Sequence, residues 1–197
     1  LNEYKMDKKA TYYFIAKNKK DKDIKFIFQN NESKLYIQGY FSNINFEFTN
    51  MKSDAEKNSN NSSYDKNLLT GCVNFFDSYF ENISIKSSNM LCEDSINIKN
   101  SNGNISKVEI RDSSFDGIDL DFSKITIESL FVNNAQNDCI DFSFGEYKIE
   151  YAKLNNCGDK GLSVGERSKL NLNNGHITKS NIGIASKDDS ITTIDTV

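Results

Sequence analysis

The chain has 197 residues, a length that suits one domain. Its net charge of -4 excludes the basic balance of a nucleic-acid binder. Mean hydropathy is -0.60, and no apolar run approaches the roughly 18 residues that a membrane-spanning helix needs. Cys72, Cys92, Cys139 and Cys157 form no CxxC pair, and His176 is the single histidine, so no zinc site is expected.

Residues 1–51 come first. TYYFIA (11–16), DIKFIF (23–28), KLYIQGYF (34–41) and INFEFTN (44–50) read as short strands, forming irregular first coils. The lysines Lys5, Lys8, Lys9, Lys17, Lys19, Lys20, Lys22 and Lys25 read as a solvated face. Residues 52–69 are polar and aperiodic, which predicts a protruding loop or insert. VNFFDSYFENISI (73–85) then reads as two further strands and opens a regular stack over 70–197. One domain over 1–197 results. Its last run, ITTIDTV (191–197), is strand-like and carries no polar cap, which reads as a stack continued or capped further on.

The regular part repeats. FDGIDLDFS (115–123), NDCIDFSFG (137–145), DKGLSVGER (159–167) and NIGIASKDD (181–189) each begin about 22 residues after the last, and EDSINIKNS (93–101) aligns one step earlier. Ile96, Ile118, Ile140, Leu162 and Ile184 form one column; Ile98, Leu120, Phe142 and Val164 form another, two positions on. Between them run Asn97, Asp119, Asp141, Ser163 and Ala185. Alternation of this kind marks a half-buried strand, with the aliphatics inward and Asp141 outward. Ile125 and Ile127, then Tyr147 and Ile149, then Leu170 and Leu172 mark a second strand per coil. Ile110, Val132, Leu154 and Ile177 mark a third, with Asn133, Asn134, Asn155 and Asn156 at the bend beyond it. Three short strands per coil describe an all-β, right-handed parallel β-helix, a solenoid of about 22 residues per coil. Cys139 falls in a column of small residues, and the cysteines are expected to be packed thiols rather than disulfides.

Residues in one column sit about 4.8 Å apart on neighbouring coils. Asp116, Asp119, Asp121, Asp138 and Asp141 are thereby gathered on two coils, with Lys160 placed to compensate Asp138 and Lys187 at the strand end two coils beyond Ser143. Like charges at that spacing raise one another's pKa unless a cation intervenes. Such a cluster serves as an acid/base pair, as a calcium site formed by Asp116, Asp119, Asp138 and Asp141, or as corner caps that accept backbone N–H groups. Beyond calcium no cofactor is implied. Glu166, Arg167, Asp188, Asp189 and Lys187 read as a surface ion-pair network, and His176 as a surface or corner residue.

The stretches SFDGID (114–119), NDCID (137–141), CGDKGLSVG (157–165) and GIASK (183–187) resemble the pectin-lyase-like superfamily, and within it the polygalacturonase-type glycoside hydrolases, whose NTD, DDC, GHG and RIK signatures fall on successive coils. The resemblance covers roughly residues 90–190. It implies that Asp116 and Asp138 match the water-activating aspartates and Lys187 the RIK lysine. Asn137 stands where the family has its general acid, Lys160 where it has the GHG histidine, and Ala185 where it has the RIK arginine. An amide cannot protonate a leaving group, so hydrolysis would need another acid among these carboxylates. The resemblance implies an extracellular, cell-surface or periplasmic protein with a polysaccharide or glycan partner. Three readings follow: a β-helix that binds or hydrolyses a polysaccharide through Asp116, Asp119, Asp138 and Asp141; a non-catalytic surface, adhesin or structural segment; and a uronate lyase or epimerase using Lys160 and Lys187.

Overall fold

A computed structural model describes residues 1–51 and 69–197. The expected insert at 52–69 lies, all but its last residue, outside the described residues. The secondary structure consists of parallel β-strands: β1 (Asn2–Met6), β2 (Thr11–Phe28), β3 (Lys34–Asn50), β4 (Gly71–Phe76), β5 (Tyr79–Ser88), β6 (Asp94–Lys99), β7 (Asn102–Ser113), β8 (Asp116–Asp121), β9 (Lys124–Ala135), β10 (Ile140–Ser143), β11 (Glu146–Gly165), β12 (Lys169–Ser186) and β13 (Ile191–Thr196). They stack as a β-solenoid of about 22 residues per turn, with about 8 turns. Among the described residues no helix is long and apolar enough to cross a membrane.

The coil register follows the side chains. Leu35 pairs with Val73, Val73 with Ile96, Ile96 with Ile118, Ile118 with Ile140 and Ile140 with Leu162. All six are buried. Sliding one coil by one residue would turn its aliphatics outward and its aspartates inward, so burial pins the register. Each such side chain, fully buried, contributes roughly 1.5–3 kcal/mol. Early coils fill this interior with rings: Phe26 stacks on Phe48, and Phe75 meets Phe46 and Phe80 edge-on. Later coils fill it with Ile, Leu and Val.

The second and third strands of each coil were expected to be separate. Instead they run on as single bent strands, as in β7 and β9. The corner after the third strand is turned by one residue with positive φ. Asp112, Asn134 and Asn156 share such a corner at φ 56, 69 and 61. The Asn134 amide donates to Asp112 Oδ1 (2.6 Å), and the Asn156 amide donates to Asn134 Oδ1 (2.9 Å). Asparagine suits both demands, because it tolerates the left-handed region and its amide links coil to coil.

The cysteine expectation is overturned. Cys72 is bonded to Cys92 and Cys139 to Cys157. The second pair closes a coil where its third strand hands over to the next first strand. Ser95 and Ser113, separated in sequence like Cys139 and Cys157, meet at the same seam two coils earlier, where the Ser95 hydroxyl donates to Ser113 Oγ at 2.8 Å. The column of small residues holding Cys139 therefore lines the seam.

Candidate functional site

The first strands of successive coils, β4, β6, β8, β10 and the end of β11, make one face. Its middle column runs Tyr36, Asn74, Asn97, Asp119, Asp141 and Ser163. These side chains point away from the aliphatic core, yet several are shielded: Asn97 is 1% exposed, and Asn74 and Ser163 are buried. The expectation of an openly exposed column is corrected to a partly buried one. The physical reason is visible at Asn97. Its amide donates to Asp119 Oδ2 (2.9 Å) and Asp121 Oδ2 (3.2 Å), so the neighbouring carboxylates close over it.

At the strand start, Asp94, Asp116 and Asp138 stack on one another. Asp116 Oδ1 accepts the backbone N–H of Asp138 (2.7 Å) and the Asn137 amide (2.7 Å). Asp138 Oδ1 accepts the backbone N–H of Lys160 at 2.9 Å. Each carboxylate thus bonds the coil that follows. Lys160 lies 3.4 Å from Asp138 and also pairs with Asp159. Contact with Asp159 foremost, aided by Asp138, holds its ammonium above the usual lysine range against the opposing cost of burial. At the strand end Lys99 reaches Asp121 at 3.4 Å, while Lys187 is exposed and acts on Asp141 only through its field.

Burial pushes Asp94 and Asp119 well above the ordinary aspartate range; a hydrogen bond with Thr70 opposes this at Asp94, and neighbouring carboxylates add to it at both. Asp94 Oδ2, Asp119 Oδ1 and Asn97 Oδ1 are buried without a hydrogen-bond partner. Burial also raises Asp116 to about 6 and raises Asp141, the latter opposed by Ser163, Lys187 and the backbone of Phe142. The structure therefore brings Asp116, Asp119, Asp138 and Asp141 together, adds Asp94 and Asn97, and attaches Lys160 to Asp138.

Among the described residues no cluster of three or more His, Cys, Asp or Glu is arranged to hold a metal ion. Oδ1 of Asp116 and Oδ1 of Asp138 each accept a backbone amide of the next coil.

Beside the carboxylates stand rings that the sequence reading passed over. Phe122 and Phe144 are stacked at 4.7 Å with planes 10° apart, and both are about half exposed. Lys99 Nζ lies 5.6 Å from the Phe122 centroid. The spacing of these two phenylalanines by one coil repeat was the available signal. Further along the same face, Tyr13, Tyr36 and Phe76 make a second run of rings. A hollow of about 440 Å³ lined by Leu1, Asp21, Lys22 and Asn43 lies several coils away.

No protein-family model matches the chain, and neither a curated protein nor a solved structure does.

Proposed function

We propose that this chain binds an extended glycan along the face formed by β4, β6, β8, β10 and the end of β11. One contrast carries the reading. Elsewhere on the solenoid, outward neighbours of opposite sign pair: Lys25 with Glu47 (3.0 Å), and Lys124 with Glu146 (3.1 Å), which Lys169 also approaches. On this face carboxylates stack on carboxylates, with acceptor oxygens left over and half-exposed rings alongside. Such an arrangement costs stability, and perturbed acids beside an open surface are a sign of a site. Sugar hydroxyls would donate to the half-buried carboxylates of Asp121 and Asp141, and the apolar side of a pyranose would rest on the rings. An open strip repeating every coil suits a polymer better than a small molecule.

Binding is favoured over hydrolysis. Asn137 cannot donate a proton to a leaving group, and its amide is spent on Asp116. Uronate chemistry is favoured less, because Lys160 is held by Asp138 and Asp159 and an acidic face repels polyanions. The two disulfides support an extracytoplasmic location, since such bonds persist in oxidising compartments. The test is a polysaccharide panel read by affinity electrophoresis and by reducing-end release, for wild type and Asp141→Asn. Retardation on at least one glycan, weakened by Asp141→Asn and without product, is expected. Product that Asp138→Ala abolishes would make the protein a hydrolase, and absence of all retardation would overturn the proposal.

A further inference from the structure

The corner that ends the first strand of each coil is turned by Asp77, Asn100, Phe122, Phe144 and Glu166, at φ 48, 50, 47, 49 and 47. Asp and Asn adopt this left-handed region at low cost, whereas a bulky ring there is an outlier. Phe122 and Phe144 are unfavourable twice over, in backbone conformation and in exposing 51% and 45% of their surface. Two consecutive coils share the exception, and the rings stack on each other. Backbone strain kept at an exposed position is a mark of function rather than of folding.

The polar surroundings set the sign of the partner. Among the described residues Asp119, Asp141 and Glu166 belong to no ion pair, and Lys99 and Lys160 are committed to Asp121 and to Asp138 with Asp159. Asn97, almost wholly buried, has spent its amide hydrogens on Asp119 and Asp121, and its Oδ1 meets no donor. The fold also shows how it holds an ammonium here: Lys99 Nζ sits between the Phe122 ring at 5.6 Å and Asp121 at 3.4 Å. Phe144, one coil on, offers a second ring flanked by Ser143, Asp141 and Glu166, where Lys187 reaches Asp141 only through its field. Cation–π attraction and unpaired carboxylates together select a positively charged group.

We infer that the glycan bound on this face is an amino sugar polymer, with its pyranose C–H surface on the Phe122–Phe144 pair and its ammonium groups toward Asp141 and Glu166. The inference rests on the glycan-binding reading above and names the ligand class of that same face.

The experiment is calorimetric titration of the intact chain with four soluble oligomers: β-1,4-linked glucosamine, its N-acetylated counterpart, a β-1,4-glucan and a polygalacturonate. Phe122→Asn/Phe144→Asn, Phe144→Asn alone and wild type are compared, each with a thermal melt. The glucosamine oligomer should bind at least tenfold tighter than the other three and weaken as salt rises. The double Asn variant should lose at least tenfold in affinity while its Tm rises, because Asn fits the corner better. A structural role for the rings would move Tm the other way. Equal affinity for the neutral glucan overturns the amino sugar assignment and leaves glycan binding standing. Undiminished affinity in both Phe variants overturns the ring subsite. No binding of any oligomer overturns this inference and the reading beneath it.

Discussion

At the residue scale the molecule departs from usual carboxylate behaviour. Most paired acids lose their stabilising contribution as pH falls. Here Asp116 stands near 6, and Asp94 and Asp119 stand well above the ordinary range, because burial disfavours their charged forms. A raised carboxyl binds its proton in the folded state at pH values where the unfolded chain has released it. Stability from that group therefore falls as pH rises from about 4 toward the folded pKa. Glu81, Glu109 and Glu146 are lowered, by Tyr40, Lys107 and Lys124 respectively, and their loss comes only below the ordinary glutamate range. Melting followed by circular dichroism should show a higher Tm at pH 5 than at pH 7. Asp119→Asn should raise Tm at pH 7 and flatten that slope. A Tm that drops steadily from pH 7 to pH 5 would refute the account. The sequence showed which aspartates share columns. It did not show which oxygens meet a backbone amide, since that depends on the tilt of each carboxyl toward the next coil. Asp116 and Asp119, three residues apart, have opposite fates for this reason.

At the scale of the strand and its coil, the inward columns were legible because burial imposes a strict period. Ile96 through Leu162 lie where the repeat put them. Two features were not. The bent continuity of β7 and β9 comes from coil-to-coil pairing that carries on past the bend, from Ile105 with Ile127 to Lys107 with Ser129, and composition gives no boundary there. The disulfides were missed because cysteine spacing was read along the chain rather than around the coil. Cys139 and Cys157 are 18 residues apart, a little short of one turn, which returns the chain to its own seam. Cross-linking a loop of this length stabilises by about 3 kcal/mol in the chain-entropy account. Cys139→Ala/Cys157→Ala should therefore lower the unfolding free energy by roughly 2–4 kcal/mol in urea titration. Thiol titration of the wild type in guanidinium without reductant should find no reactive cysteine, and a full count of four would contradict the pairing.

At the scale of the whole molecule, a solenoid has no single centre. Each coil contacts its neighbours, and stability accumulates along the axis. The stack here is uneven. Coils from β2 to β5 are filled largely by phenylalanines and those from β6 to β11 largely by aliphatics, while β13 is largely exposed. The acidic face and the Phe122–Phe144 pair fall on β8, β10 and their corners, within the well-buried part. Placement there makes mechanical sense. Carboxylates that repel one another would spread a loosely held coil, and rings held at strained corners would relax. Both persist only where coils above and below fix the backbone. Native-state hydrogen exchange should report this gradient, with amides of β8, β9 and β10 exchanging slowest and those of β13 fastest. Amides of the Asp116–Asp141 segment exchanging as quickly as β13 would mean that the face is not preorganised. A ligand would then have to order it on binding, and the strain at Phe122 and Phe144 would have no rigid frame to hold it.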